Sequence, residues 1–325
     1  MNKNDITKQL TIVIPTYNRK ERLLRQLESL HRQGQTDAYW LIIIDNGSDY
    51  DLEDTLKEHE FDGSFFSIIQ VIRRPLNTKM GYNLAATLLF PKTKWIWTVS
   101  DDDISTPNSI ETVLSYTKGN ATLVKFQFTY HRSFNDISIK SVHELEELYA
   151  KQFFTPGDLF YLGNNLINRE RLQEYLSDAF EHSSHLIPFI LPALHQLTDG
   201  KAEIVFSDKH VQTYVSNKSG DKWIGIPTIL KFAELFDIQW NNYQNTCKIF
   251  RIVCNHFMVS EVIRMLLKEK DRFYRRYAYR RLRRTVFARP QTMKEHLFWY
   301  AYFVEEYLRI PVLSTIHPLL KRNGF

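Results

Sequence analysis

The residues with the densest chemistry are Asp101, Asp102 and Asp103, which fall within the run WIWTVSDDDISTP at 95–107. Three adjacent carboxylates repel one another and Asp is disfavoured in strands, so the arrangement costs stability unless something positive sits beside it. Hard oxygen donors suit a divalent cation, Mn2+ or Mg2+, with one or two carboxylates binding while substrate phosphates complete the shell. A second reading needs no ligand: the triplet caps the turn and helix that follow, with Asp103 as N-cap. The triplet alone supports both. Two further polar clusters, Thr16-Tyr17-Asn18-Arg19 and Asp45-Asn46-Gly47-Ser48-Asp49, also end apolar runs, LTIVIP and YWLIII. Downstream, DAFEHSSHLIPF holds Asp178, Glu181, His182 and His185, groups able to accept a proton.

Each cluster needs an element to position it. Leu10 to Pro15 is a continuous apolar, β-branched run and predicts a strand buried on both faces. Leu23, Leu24, Leu27 and Leu30 recur at helical spacing and predict a helix over 20–33, ended by Gly34. Strands over 39–44, 66–73 and 95–100 follow, separated by a polar helix over 52–59 and a loop feeding a helix over 77–90. This alternation predicts an α/β fold with a parallel sheet and crossover helices. Ligands of such sheets bind beyond the carboxyl ends of the strands. The turn after the first strand, Asp45 after the second and the triplet after the fourth are therefore expected to face one crevice. Individually, Asn46-Gly47 is an ordinary turn and Asp45 could cap a helix; their joint placement favours a site.

The totals exclude several classes. At 325 residues, one or two domains with a large core are expected. A net charge of +5 is too small to imply nucleic acid. Cys247 and Cys254, seven residues apart on a predicted helix, are too few for a disulfide framework and read as reduced structural thiols. The opening MNKNDITKQL is polar, so no secretory leader is expected, and no apolar run approaches the roughly 18 residues of a bilayer span. The expected location is cytoplasmic, or peripheral on the inner face of the cell membrane.

The combination of TIVIPTYNR, IIIDNGSD and a strand ending in DDD resembles the inverting family 2 glycosyltransferases of GT-A fold, over residues 10–130 and more loosely to 215. The resemblance implies a Rossmann-like, mostly parallel sheet with flanking helices, followed here by a helical C-terminal region. It implies that Pro15, Thr16, Tyr17, Arg19 and Asp45 hold the nucleotide, with Asp45 accepting from the base. Asp101 would lie nearer the ribose and Asp103 nearer the metal, with Asp102 able to take either place; Mn2+ or Mg2+ would sit on Asp102 and Asp103. The donor implied is a nucleotide-diphosphate sugar, a UDP-sugar first among them, and the acceptor a saccharide, polyprenyl-linked in many relatives. The layout looks most like bacterial O-antigen and capsule sugar transferases, including abequosyltransferase-like ones. One departure stands out. Where relatives carry Asn-x-Gly and then Arg-Asn, this chain has Asn77-Thr78-Lys79, a displaced Gly81 and Tyr82-Asn83.

The second half, 131–215, is expected to form the acceptor side of a domain spanning 1–215. Strands are predicted over 121–130, over 159–168 with a bend at Gly163-Asn164-Asn165, and over 203–215 with Lys209 and His210 at its end. Ser141 and Glu144 form a capping box opening a helix over 141–153. A short helix over 169–176 and a helix kinked by Pro188 and Pro192, ending near Gly200, complete it. An inverting transfer needs one general base for the acceptor hydroxyl. Glu181 has the conventional chemistry and His185 the better intrinsic pKa; they are ranked in that order. By resemblance to relatives with a late basic or His residue near the diphosphate, His210 is a candidate for that separate place.

From 216 the composition turns helical, aromatic and basic. Eight arginines fall between Arg272 and Arg289 with no acid among them. Phe273, Tyr277, Leu282 and Val286 are read as an apolar stripe, with Arg272, Arg276, Arg280 and Arg283 on another face. Such a helix suits an anionic membrane surface, a nucleic acid, or its own core, with the membrane favoured and no nucleic-acid partner expected. A further aromatic helix over 296–325 is expected to break at Pro311 and Pro318. The reading is a metal-dependent inverting glycosyltransferase of bacterial surface polysaccharide synthesis. Its rivals are a nucleotidyltransferase, disfavoured because PTYNR lacks glycine, and a non-catalytic membrane-surface assembly protein.

Overall fold

The computed structural model describes residues 8–61, 66, 69–127, 133–215, 225–254, 262, 265–266, 268–285, 300 and 304. Its first elements follow the predicted alternation: β1 (Leu10–Thr16), α1 (Lys20–His31), β2 (Tyr39–Asp45), α2 (Leu52–Glu58), β3 (Ile69–Arg73), α3 (Met80–Ala86) and β4 (Trp95–Thr98). β1 is buried along its whole length and β2 nearly so, as strands covered on both faces must be. β1 pairs in parallel with β2 on one side and β4 on the other, and β2 pairs in parallel with β3. Trp95, Trp97, Leu23, Leu27 and Leu30 join the strand residues in one apolar core.

After β4 come β5 (Ile104–Ser105), α4 (Ser109–Tyr116), β6 (Leu123–Phe126), β7 (Ile137–Ile139), α5 (Val142–Ala150), α6 (Pro156–Phe160), β8 (Asn165–Asn168), α7 (Ser177–Glu181), α8 (Leu191–Thr198), β9 (Ile204–Ser207) and β10 (Gln212–Thr213). The described strands form an eight-stranded mixed sheet ordered β3-β2-β1-β4-β8-β6-β9-β7, with β10 and β5 as a separate antiparallel pair. β8 runs antiparallel to both β4 and β6 and so closes the parallel half of the sheet. This is the mostly parallel sheet with flanking helices that the sequence predicts.

Several expectations need correction. No helix follows Asp103 directly; β5 intervenes, and α4 begins at Ser109 after Asn108. Asp103 therefore does not cap that helix. The strand over 159–168 is instead α6, a 3-10 turn at Leu162–Asn164 and then β8. The cause is local side-chain bonding that competes with a ladder: Asn164 Nδ2 donates to the Phe126 carbonyl at 2.8 Å and Asn165 Nδ2 to the Leu162 carbonyl at 3.0 Å. Residues 169–176 hold only a 3-10 turn, Gln173–Tyr175. Pro192 starts α8 within its first turn rather than kinking a longer helix, where its missing N–H costs nothing. The strand over 203–215 is two, β9 and β10, in different sheets. The capping box at Ser141 and Glu144 is present and opens α5.

The chain divides into two compact units, one of Met1–Asp221 with Ile238–Val253, the other of Lys222–Asp237 with Cys254–Phe325. The later helices are α9 (Ile226–Ala233), α10 (Tyr243–Cys254) and α11 (Arg272–Arg284). Within the first unit, Trp240 stacks on His195 at 4.6 Å, and Lys248 pairs with Glu146 at 3.1 Å. Cys247 is part-buried and Cys254 buried, and no disulfide joins them. In the second unit α11 packs on α9. Its buried residues are Ala278, Tyr279 and Leu282, so Phe273 and Tyr277 do not share a stripe with Leu282. Val286, Arg289 and the expected helix over 296–325, with Pro311 and Pro318, lie outside the described residues, Tyr300 and Val304 excepted. Among the described residues, no helix is long and apolar enough to cross a membrane.

Candidate functional site

The carboxyl ends of β1, β2 and β4 are knitted together by side chains. Thr16, the last residue of β1, donates its hydroxyl to Asp101 Oδ2 at 2.8 Å. Arg19 Nη1 bridges Asp101 at 2.9 Å and Asp102 at 3.0 Å, and Arg22 stands 3.7 Å from Asp102. The positive charge the triplet requires is thus supplied in part from within the chain. Ser48 N donates to Asp45 Oδ1, while Ser48 Oγ accepts from Asn18 N, both at 2.9 Å. Asn46 N donates to the Thr16 carbonyl at 3.0 Å. The three polar strand ends therefore occupy one edge. Pro15 is buried at the β1–β2 pairing, and Tyr17 is exposed beside it.

The three aspartates are not equivalent. Asp101 is buried and its two oxygens are engaged by Thr16 and Arg19. Asp102 is the most exposed, its hydroxyl partner being Ser100. Asp103 is buried with Oδ1 lacking any hydrogen-bond partner. Burial, and then the charge of Asp102, pushes the Asp103 carboxyl up to about 7. Burial also raises Asp101, opposed by Arg19. Asp45 likewise keeps Oδ2 without a hydrogen bond, with Arg73 Nε 3.8 Å away.

Residues missed in the sequence complete this edge. Tyr50 lies close enough to Asp45 and Asp101 for both charges to add to the burial that raises its phenol. Tyr161 sits near Asp103 and Asp102 and meets Tyr214 edge-on at 6.3 Å. A buried chain fixes the strand that follows the triplet: Gln26 Nε2 and Gln212 Nε2 each donate to Ser105 Oγ at 2.7 Å. Thr106 Oγ1 donates to the His210 carbonyl at 2.8 Å, bringing the His210 segment alongside the residues after the triplet. A signal existed for some of these, since glutamine and serine inside short strands need buried partners.

The departure at 77–83 also resolves. Asn46 Oδ1 accepts from Thr78 N at 3.1 Å, and Asn46 Nδ2 donates to Asn77 Oδ1 at 3.0 Å. Gly47, at φ +80, would place a Cβ 2.7 Å from the Leu76 backbone, so only glycine lets these turns meet. A Cβ on Gly81 would stand 2.2 Å from the His185 carbonyl and 2.3 Å from that of Ser183. The 181–185 segment is thereby docked directly on the first turn of α3. Within it, Glu181 is exposed at the end of α7, while Asp178 and His185 are buried. Asp178, Glu181 and His182 bring ligand-type atoms within 4.8 Å of one another. Asp178 Oδ2 also contacts His195 Nδ1 at 2.6 Å, and burial lowers His182. Lys79 takes a positive φ of 71 ahead of α3, its N–H donating to Asn77 Oδ1 at 2.8 Å. Lys209, at the strand end named with His210, pairs with Asp208 at 3.1 Å.

The sequence profile of glycosyl transferase family 2 matches residues 11–176, just over half of the chain. The chain belongs to that family. An uncharacterized glycosyltransferase of Methanocaldococcus jannaschii is 22% identical over 176 residues, covering 51% of this chain and 60% of that protein. Among solved structures, S. aureus TarS residues 1–349 in complex with UDP superposes with a TM-score of 0.59 at 12% identity, covering 94% of this chain and 91% of that one. The mannosyltransferase PcManGT from Pyrobaculum calidifontis, in complex with GDP-Man and Mn2+, gives 0.51 at 11% identity, covering 92% and 81%. Against the longer TarS chain the coverage is 54%, so this family 2 chain spans only part of the length of some relatives. At these identities the superpositions establish the GT-A fold.

Proposed function

We propose that this protein is a metal-dependent inverting glycosyltransferase that moves a sugar from a nucleotide-sugar donor to a saccharide acceptor. The observation that carries the reading is the convergence of Thr16, Arg19, Asp45 and Asp101–Asp103 on one sheet edge, with Asp45 Oδ2 and Asp103 Oδ1 left as buried acceptors without hydrogen bonds. Buried polar atoms are rarely left this way unless a ligand completes them. Asp45 Oδ2 would accept from the nucleotide base, and the first turn, Pro15 to Arg19, would line the nucleotide. Asp102 and Asp103 fit a hard cation, Mn2+ or Mg2+: one is accessible and the other has an unpartnered oxygen. When bound, such a cation offsets negative charge developing on a leaving diphosphate. Asp101, already engaged by Thr16 and Arg19, would position its neighbours, although the resemblance places it near the ribose.

The acceptor hydroxyl would lose its proton to Glu181, the exposed carboxylate of the docked segment, with His185 as the second candidate. TarS and PcManGT, whose folds this chain shares, were solved with UDP and with GDP-Man and Mn2+ respectively, which supports a nucleoside-diphosphate donor. A lipid-linked acceptor in bacterial surface polysaccharide synthesis is the fuller form of the proposal. The test is release of nucleoside diphosphate from a panel of UDP- and GDP-sugars, with and without Mn2+, followed by the anomeric configuration of any product. Metal-stimulated release with an inverted anomer is expected. No release from any donor, or a retained configuration, would refute it.

A further inference from the structure

The helix α11 has two faces of different chemistry. Ala278, Tyr279 and Leu282 are buried, Arg281 pairs with Asp237, and Arg275 Nη1 donates to the Glu269 carbonyl at 3.0 Å. The opposite face carries Phe273, Tyr277, Arg280 and Arg284, whose spacing of three and four residues sets them along one line. Phe273 is 86% exposed and Tyr277 58%. Exposed Arg272 and Arg283 lie together along one side of the line, and the helix carries no acid between Arg272 and Arg284. The helix does bury an apolar side, so these rings are not surplus core residues awaiting that side.

We propose that this outward face docks on an anionic lipid surface. The thirteen-residue helix offers a convex, cationic outer face about 20 Å long. Phe273 and Tyr277 would enter the headgroup region while Arg283 and Arg284 beside them meet lipid phosphates. The outward face of α11 is convex, whereas single-strand binders track the nucleic acid with a groove. The inference does not depend on the transferase reading.

The test is sedimentation of the full chain at low salt with vesicles of phosphatidylcholine alone, or of equal parts phosphatidylcholine and phosphatidylglycerol. The wild type should sediment with the anionic vesicles only, and added salt should release it. Each arginine near the surface contributes roughly fivefold in partitioning, so Arg280→Gln/Arg283→Gln/Arg284→Gln should lose about a hundredfold. Phe273→Ser/Tyr277→Ser, which keeps every charge, should lose about tenfold. All five positions are exposed, and the thermal midpoint of each variant reports whether its fold is intact. Should either variant not fold, the wild-type salt and lipid dependence still decides. Three wild-type results would overturn the proposal: no sedimentation, equal sedimentation with neutral vesicles, or tighter binding to a single-stranded oligonucleotide than to anionic vesicles. Unaltered partitioning of a folded Phe273→Ser/Tyr277→Ser variant would also overturn it.

Discussion

The two halves of the sheet reach the same edge by different means. In the parallel half, strand register sets the polar turns and side chains then join them: Thr16 lies opposite Asp45 because the ladder from Leu10 and Tyr39 puts it there, and its hydroxyl reaches Asp101. In the half that follows, short elements are placed by side-chain bonds between residues far apart in sequence. Lys125 is buried and donates to the Leu159 carbonyl at 3.1 Å and to Asn164 Oδ1 at 3.0 Å, and it also meets Asn165 Oδ1. Trp97 Nε1 donates to the Gly163 carbonyl at 2.9 Å and Thr98 Oγ1 to that of Leu162 at 2.7 Å. The first half is built by burial and the second by satisfied polar groups. Damage should therefore show as lost chemistry in one half and as lost structure in the other.

The largest effect is expected at the triplet. Asp103→Asn should lower turnover by about a thousandfold, the scale of removing one charge-stabilising group, while the melting temperature holds or rises because a buried carboxyl is relieved. Asp101→Asn should instead cost about 2 kcal/mol of stability, since Thr16 and Arg19 lose their shared anion. Equal loss of turnover with unchanged stability at both positions would erase the distinction between them. In the second half, Lys125→Met should destabilise by about 3 kcal/mol in urea unfolding, because two amide oxygens and a carbonyl lose a buried donor. A change below 0.5 kcal/mol, the usual range for a neutral surface substitution, would show that burial alone holds that half.

Two smaller effects probe the join between the halves. Glu181→Gln should bind nucleoside diphosphate as the wild type does and turn over about a hundredfold more slowly. Unchanged turnover would remove Glu181 and turn attention to His185. Gly81→Ala should cost about 2 kcal/mol and raise the acceptor KM more than the donor KM, because the new Cβ displaces the Ser183 and His185 carbonyls. A donor effect as large as the acceptor effect would place the strain on the wrong side.

The same contrast explains what the sequence could and could not show. LTIVIP, YWLIII and WIWT are legible because strands covered on both faces are apolar throughout, and the rule for parallel sheets then places Thr16, Asp45 and Asp101–Asp103 at one edge. The stretch 159–168 reads as a strand because its run is apolar, whereas two asparagines and a lysine about forty residues upstream bend it into a turn. Tyr161 and Tyr214 are hidden for a related reason: Tyr214 is an ordinary tyrosine until β5 and β10 pair, and Tyr161 until Trp97 and Thr98 hold the turn beside it. In α11, counting aromatics as apolar groups Phe273 with Leu282, though at about 3.6 residues per turn the step between them is two and a half turns and puts them on opposite sides.

The central claim is that the edge formed by Asp45 and Asp101–Asp103 holds a nucleoside diphosphate together with a divalent cation. Isothermal calorimetry of UDP and GDP binding, with and without Mn2+, tests it on the wild type and on Asp103→Asn. The account predicts nucleotide binding that requires Mn2+ in the wild type and is lost in the variant. Binding of neither nucleotide with Mn2+ present, or equal binding by both proteins, would contradict it.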